Sequence, residues 1–172
     1  MAREIADGVW LLEIAWPEPI GANAYLVDDG DVTLVDAGVP IPRRSLGGEI
    51  SGAGYALSGI DRVLFTHYDV GPVGGLARID LGVPVYLGPL DLRLLRRAWS
   101  PPWRHHKGLF HRLARRVYTL SAADLRPVSE GDRIGGFRAF HTPGHNPGHT
   151  VFFHPGSETA LLGDLVWSTG EG

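Results

Sequence analysis

Short runs of apolar residues, cut by polar or glycine-bearing connectors, pattern the first half of the chain and predict strands. Residues 9–14, 23–27 and 32–35 combine β-branched, aromatic and leucine positions at strand length. The last two flank Asp28-Asp29-Gly30-Asp31, a polar connector suited to a hairpin. Asp36-Ala37-Gly38 then ends the third strand, and a helix is expected over roughly residues 43–53, weakened by its glycines. Residues 62–65 read as a short buried strand that delivers Thr66-His67 at its C-terminal end. Residues 73–79 open another helix, and residues 83–86 form a further strand in which Pro84 favours an edge position. Strands alternating with helices predict helices packed over sheets, an α/β or α+β layered domain.

Residues 92–117 depart from this pattern. Leu94, Leu95, Ala98 and Trp99, then Leu109, Phe110, Leu113, Ala114 and Val117, fall at helical spacing. Ser100-Pro101-Pro102 is expected to break the helix between the two sets. The same stretch holds Arg93, Arg96, Arg97, Arg104, Lys107, Arg112, Arg115 and Arg116, half of the 16 basic residues, with no acid between Asp91 and Asp124. The reading is a pair of amphipathic helices with a basic outer face, an insert at about residues 90–117. After it come a turn at residues 132–137, a strand leading into His141, the apolar run Val151-Phe152-Phe153, and an apolar strand ending in Gly163-Asp164.

The 172 residues suffice for one domain with its own core, taken here as residues 1–172. A net charge of −3 selects no class of partner, and the absence of cysteine removes disulfides, thiolate metal sites and a cysteine nucleophile. The first residues lack the apolar core of a signal peptide and no run approaches membrane-spanning length, so a cytoplasmic protein that does not cross a membrane is expected.

The candidate chemistry sits at three strand ends. His141-Thr142-Pro143-Gly144-His145-Asn146-Pro147-Gly148-His149 places histidines four apart among Pro-Gly turns, which hold a side chain rigidly. His67 and Asp69 are an i, i+2 pair that faces one way in extended chain. Asp164 follows a glycine that admits a close neighbour. Two histidines and two carboxylates can complete a tetrahedral or five-coordinate site for zinc, iron or manganese. Taken singly, each has a plainer reading: His67 as a hydrogen-bonded structural residue, Asp164 as a turn cap.

With these motifs in order, the chain resembles the metallo-β-lactamase superfamily, which includes glyoxalase II-like thioesterases, lactonases and nucleases. The residues that carry the resemblance are Asn23-Ala24-Tyr25-Leu26-Val27, Leu34-Val35-Asp36-Ala37-Gly38, Thr66-His67 with Gly74-Gly75, Thr142-Pro143-Gly144-His145 with Gly148-His149, and Gly163-Asp164. The resemblance implies an αββα sandwich of two mixed β-sheets with outer helices. It also implies one or two metal ions at the sandwich edge, most often zinc, that activate water. His149 would be structural, Asp36 would fix the turn under the site, Pro72 would suit a first helical turn, and Gly74-Gly75 would let that helix pack close. His105, His106 and His111 lie in the basic insert and are not read as ligands.

The departures narrow the function. The family signature T-H-x-H-x-D-H-x-G-G is met here by Thr66-His67-Tyr68-Asp69-Val70-Gly71-Pro72-Val73-Gly74-Gly75. Asp69 stands in place of the second histidine, while Gly71 and Pro72 offer no side-chain ligand. The resemblance also implies a last ligand histidine near the C-terminus, which is expected to be absent here, with a shortened C-terminus, because the chain stops at Gly172 where family members continue. A second metal is therefore not expected. His67, Asp69, His145 and Asp164 remain as one site, with Asp69 and Asp164 also the candidate catalytic carboxylates. The cofactor expected is one divalent metal, zinc first, iron or manganese otherwise, or none if the motif is a relic.

Two functions follow. One is a hydrolase of low activity with at most one metal, acting on an ester, thioester, lactone or phosphoester, with a small anionic or acyl substrate. The other is an inactive relative that binds a partner through its arginine-rich helices. Arg93, Arg96, Arg97, Arg112, Arg115 and Arg116 would contact anions, with Trp99, Trp103 and Phe110 as apolar anchors. An uncovered sheet edge near the C-terminus would favour a homodimer, unless the chain is a fragment.

Overall fold

The computed structural model describes residues 1–15, 21–40, 45–77, 79–98, 100, 104, 108, 120 and 124–166. Their strands form two sheets. In the larger, β1 (Arg3–Ala6), β2 (Val9–Ala15), β3 (Gly21–Asp28), β4 (Val32–Val35), β5 (Arg62–Leu64), β6 (Val85–Leu87) and β7 (Leu125–Pro127) lie side by side in chain order. β1 to β4 pair antiparallel and β4 to β7 pair parallel, so this sheet is mixed. The smaller runs β8 (Arg133–Ile134), β9 (Phe137–His141), β10 (Thr150–His154) and β11 (Thr159–Leu161), antiparallel throughout.

Strand alternation divides the apolar residues between two cores. Leu12, Ile14, Leu26, Leu34, Val63 and Val85 face α1 (Leu46–Gly52), α2 (Val70–Val73) and α3 (Pro89–Leu95), burying Leu46, Ile50, Val73, Leu92 and Leu94. Val27, Val35 and Leu64 face the smaller sheet and meet Phe137, Ala139, Phe152 and Leu161. Sheets packed face to face with helices over the larger one make the expected layered sandwich. Each fully buried side chain of this size is worth about 1.5–3 kcal/mol. At the end of the sandwich away from the histidine motifs, His154 Nε2 lies 3.3 Å from Asp29 Oδ2, tying β10 to the β3–β4 hairpin.

Several expectations are corrected. The helix expected at residues 73–79 starts earlier: α2 begins at Val70 because the Asp69 carboxylate accepts the Val70 N–H at 2.7 Å, and a 3₁₀ turn at Gly74–Leu76 follows it. β6 is not an edge strand, since it pairs with both β5 and β7. Pro84 precedes it, and only its carbonyl, accepting from the Val63 N–H, is asked of it. α3 ends at Leu95, ahead of the prolines expected to break it, because Arg97 takes a left-handed φ of 58° and the Ala98 N–H turns back to Arg93 O. Arg93, Arg96 and Arg97 are exposed. Trp99, Trp103, His105, His106, Phe110, His111, Arg112, Arg115 and Arg116 lie outside the described residues, and with them the second amphipathic helix. Among the described residues no helix is long and apolar enough to cross a membrane.

Candidate metal centre

The segment after β5, the β9–β10 turn and the segment after β11 meet at one edge of the sandwich. Thr150 N–H donates to Thr66 O at 2.8 Å, which joins the two sheets beside the histidine motifs, and Thr142 N–H donates to His149 O at 2.9 Å, which closes the β9–β10 turn. His67, Asp69 and His145 converge there, each offering a ligand atom within 4.8 Å of the others. His67 Nε2 lies 4.0 Å from Asp69 Oδ2 and 3.6 Å from Asp164 Oδ2. His145 Nε2 lies 3.8 Å from Asp69 Oδ2 and 3.1 Å from Asp164 Oδ2. All four residues singled out in the sequence therefore share one cluster. Side-chain exposure rises from 0% at His67 and 10% at Asp69 to 39% at Asp164, so the cluster opens to solvent at its Asp164 side.

Each side chain is aimed by its surroundings. Asp36, at a left-handed φ of 58°, accepts the Thr66 N–H at 2.9 Å and the Thr66 hydroxyl at 2.8 Å. A Thr66 hydroxyl donating to Asp36 is left to accept from His67 Nδ1, 3.1 Å away, and that tautomer leaves the Nε2 lone pair facing the cluster. Burial pushes the His67 imidazole down to about 3, against the upward pull of Asp164 and Asp69, so it is neutral and able to act as a ligand. Its Nε2 is buried and, among the described residues, has no hydrogen-bond partner. Asp69 spends one oxygen on capping α2 and turns the other to the histidines. Asp164 needs Gly163 before it: at φ +54° the chain turns where a Cβ would fall 2.7 Å from Thr66 Oγ1 and 2.9 Å from His149 Nε2. His149 is buried with its Nδ1 2.8 Å from Thr142 Oγ1, inside the turn it braces.

Burial raises the Asp36 carboxyl to about 7, offset in part by its two bonds from Thr66. A raised carboxyl contributes stability that is whole below its unfolded value of 3.8 and is lost as pH rises through about 7. The stability advantage of the protein over an Asp36→Asn variant is therefore expected to shrink between pH 4 and pH 7. Thermal unfolding of both proteins across that range checks it, and an advantage that grows with pH contradicts the assignment.

Two residues here carried no functional signal in the sequence. Asp91 sits in the first turn of α3, where an acid reads as a helix-dipole residue, yet it is fully buried and bonded to both histidine-bearing segments. Asn146 lies inside the histidine turn, and only its bonds to Tyr68 O and Asp91 give it a role.

The chain is similar to known proteins along nearly its whole length. The family model described as the metallo-beta-lactamase superfamily matches residues 17–172. A probable metallo-hydrolase of Bacillus subtilis (strain 168), YybB, is 26% identical over 179 residues, covering 98% of this chain and 74% of that protein. A metallo-beta-lactamase family protein from Thermus thermophilus superposes with a TM-score of 0.75 at 22% identity, over 96% of this chain and 62% of that one. BJP-1, a subclass B3 metallo-beta-lactamase of Bradyrhizobium japonicum, superposes with a TM-score of 0.64 at 22% identity, over 88% of this chain and 55% of that one. The chain thus spans less than two thirds of the length of these two solved relatives.

Proposed function

The chain belongs to the metallo-β-lactamase superfamily, and on that premise we propose that it is a metal-dependent hydrolase with a single divalent ion, acting on an ester, thioester, lactone or phosphoester. One observation carries the reading. His67, Asp69 and His145 bring ligand atoms within 4.8 Å of one another around a buried His67 Nε2 that has no hydrogen-bond partner among the described residues. A buried polar atom left so costs about 1–3 kcal/mol, which a ligand would recover. Imidazole and carboxylate donors suit zinc first, and iron or manganese otherwise. Gly71 and Pro72 contribute no donor, so a second ion is not part of the proposal.

His67, Asp69 and His145 would hold the ion, with Asp164 closing the set from the solvent side. When bound, such an ion supplies Lewis acidity toward a carbonyl or phosphoryl oxygen and toward water. His67, already neutral, offers Nε2 without first losing a proton. Asp69 is held by its bond to the Val70 N–H, so its Oδ2 stays on the histidines. Asp164, the most exposed of the four, would be the carboxylate to take the proton of a water attacking from the solvent side. Two carboxylates would offset the charge of a bound ion and leave water less acidic than an all-histidine set would, so a slow enzyme is expected. Exposed Arg93, Arg96 and Arg97 at the end of α3 would favour an anionic substrate.

Elemental analysis of the purified protein tests the reading, together with hydrolysis of p-nitrophenyl ester and thioester probes. About one zinc or iron per chain is expected, with activity lost on chelation and restored by the metal. A protein that purifies without metal and takes none up on dialysis overturns it, and leaves the scaffold as a binding module.

A further inference from the structure

Asp91 belongs to neither histidine segment, yet its carboxylate holds both. Oδ2 accepts the Tyr68 N–H at 2.8 Å, between His67 and Asp69 in the chain. The same oxygen accepts Asn146 Nδ2 at 3.0 Å, one residue after His145, and Oδ1 accepts the Gly148 N–H at 2.8 Å. Asn146 Nδ2 also reaches Tyr68 O at 3.0 Å, which closes the bridge between the segments. Asp91, Asn146 and Tyr68 are all buried, at 0%, 0% and 1% exposure, so these bonds are not diluted by solvent. The backbone fits around them without a gap: a Cβ on Gly148 would fall 2.6 Å from the Asp91 carboxyl, and one on Gly88 would fall 2.0 Å from Gly148 O. The start of α3 is therefore pressed directly against the histidine turn.

We infer that Asp91 is the positioning residue of the metal centre, the group that sets the separation between the His67–Asp69 segment and His145. The inference rests on the single-metal reading above. A carboxylate suits this place because it accepts from several N–H donors at once and strengthens each bond with its charge. No neutral side chain of the same size presents acceptors alone. The same bonds hold α3, and with it the exposed Arg93 and Arg96, in fixed register with the cluster.

The test is Asp91→Asn, which keeps the shape and turns an amide NH2 toward an N–H donor. Cobalt(II) is the probe. Cobalt affinity is expected to fall about 10- to 100-fold, as when an outer partner of a ligand is removed, and the visible spectrum of the cobalt-loaded protein to change. In the metal-free protein, hydrogen exchange is expected to quicken at the Tyr68 and Gly148 amides while the β3–β4 pair keeps its protection. Wild-type cobalt affinity and spectrum, with unchanged exchange at both amides, overturn the inference. If Asp91→Asn does not fold, Asn146→Ala serves. It keeps both backbone donors, so a smaller loss of cobalt affinity supports the inference and none overturns it. If the wild-type protein binds no cobalt, the single-metal reading fails. Exchange then decides for Asp91: quickening confined to Tyr68 and Gly148 supports it, and unchanged rates overturn it.

Discussion

Replacing His67 by alanine is expected to abolish tight metal uptake while leaving the metal-free protein close to its original stability. The imidazole is fully buried, and its Nε2 has no hydrogen-bond partner among the described residues. In the metal-free protein the ring therefore carries a desolvation cost of about 1–3 kcal/mol that offsets much of its packing. The metal-loaded protein differs, because the same nitrogen would be a ligand. Loss of an outer partner costs about 10- to 100-fold in affinity, and loss of a ligand costs more. The readout is thermal unfolding with and without zinc. At a hundred times the dissociation constant a bound ligand stabilises by about 2.7 kcal/mol. In a chain of this length that raises the midpoint by about 5–10 °C. The rise is expected in the wild-type protein and absent in His67→Ala. An equal rise in the variant would place the metal somewhere other than this cluster.

Gly75→Ala is expected to be among the most damaging single methyls in the described chain. Its Cβ would fall 1.9 Å from the Ala37 carbonyl oxygen, a backbone atom already held in place because the Ala37 N–H donates to Pro72 O at 2.6 Å. Backbone cannot yield as a side-chain tip can, so the cost is expected at about 3 kcal/mol or more, the upper end for overpacking. Gly71→Ala, in α2, provides the contrast. Its Cβ would meet only the Ala22 methyl, at 3.9 Å, and helix propensity favours alanine by up to about 1 kcal/mol. Chemical unfolding of both variants is the check. Equal losses would mean that the close packing of Gly75 on Ala37 does not limit this segment. The contrast also bears on the centre: packing demands glycine at position 75 but not at position 71, so no Cβ clash excludes an aspartate there.

Much of the fold was legible in the linear pattern. Residues 9–14, 23–27 and 32–35 became β2, β3 and β4 because β-branched and aromatic runs of that length suit a pleated sheet with both faces covered. The misreadings share a cause. Pro84 reads as an edge signal when only its missing N–H is weighed, and what removed the penalty was a position just before β6 where no donor is called for. The end of α3 was placed at the prolines, but an arginine took the left-handed turn first, which L-residues seldom do. α2 began early because Asp69, read as a ligand and catalytic carboxylate, also caps a helix.

The centre divides along the same line. His67, Asp69, His145 and Asp164 could be named from the chain because their chemistry is intrinsic and each sits at a strand end or in a Pro-Gly turn. Gly71 and Pro72 carry no side-chain donor, which no folding can supply. Distances between residues far apart in sequence are another matter. His67 and His145 meet with ring centroids 4.9 Å apart because two sheets pack face to face, a sum of many weak contacts that leaves no local mark. Asp91 illustrates it most sharply: a carboxylate in the first turn of a helix looks like any solvated acid until folding buries it against Tyr68, Asn146 and Gly148. The donors on offer are a property of the side chains. Whether they close on one ion depends on the packing that sets their separation.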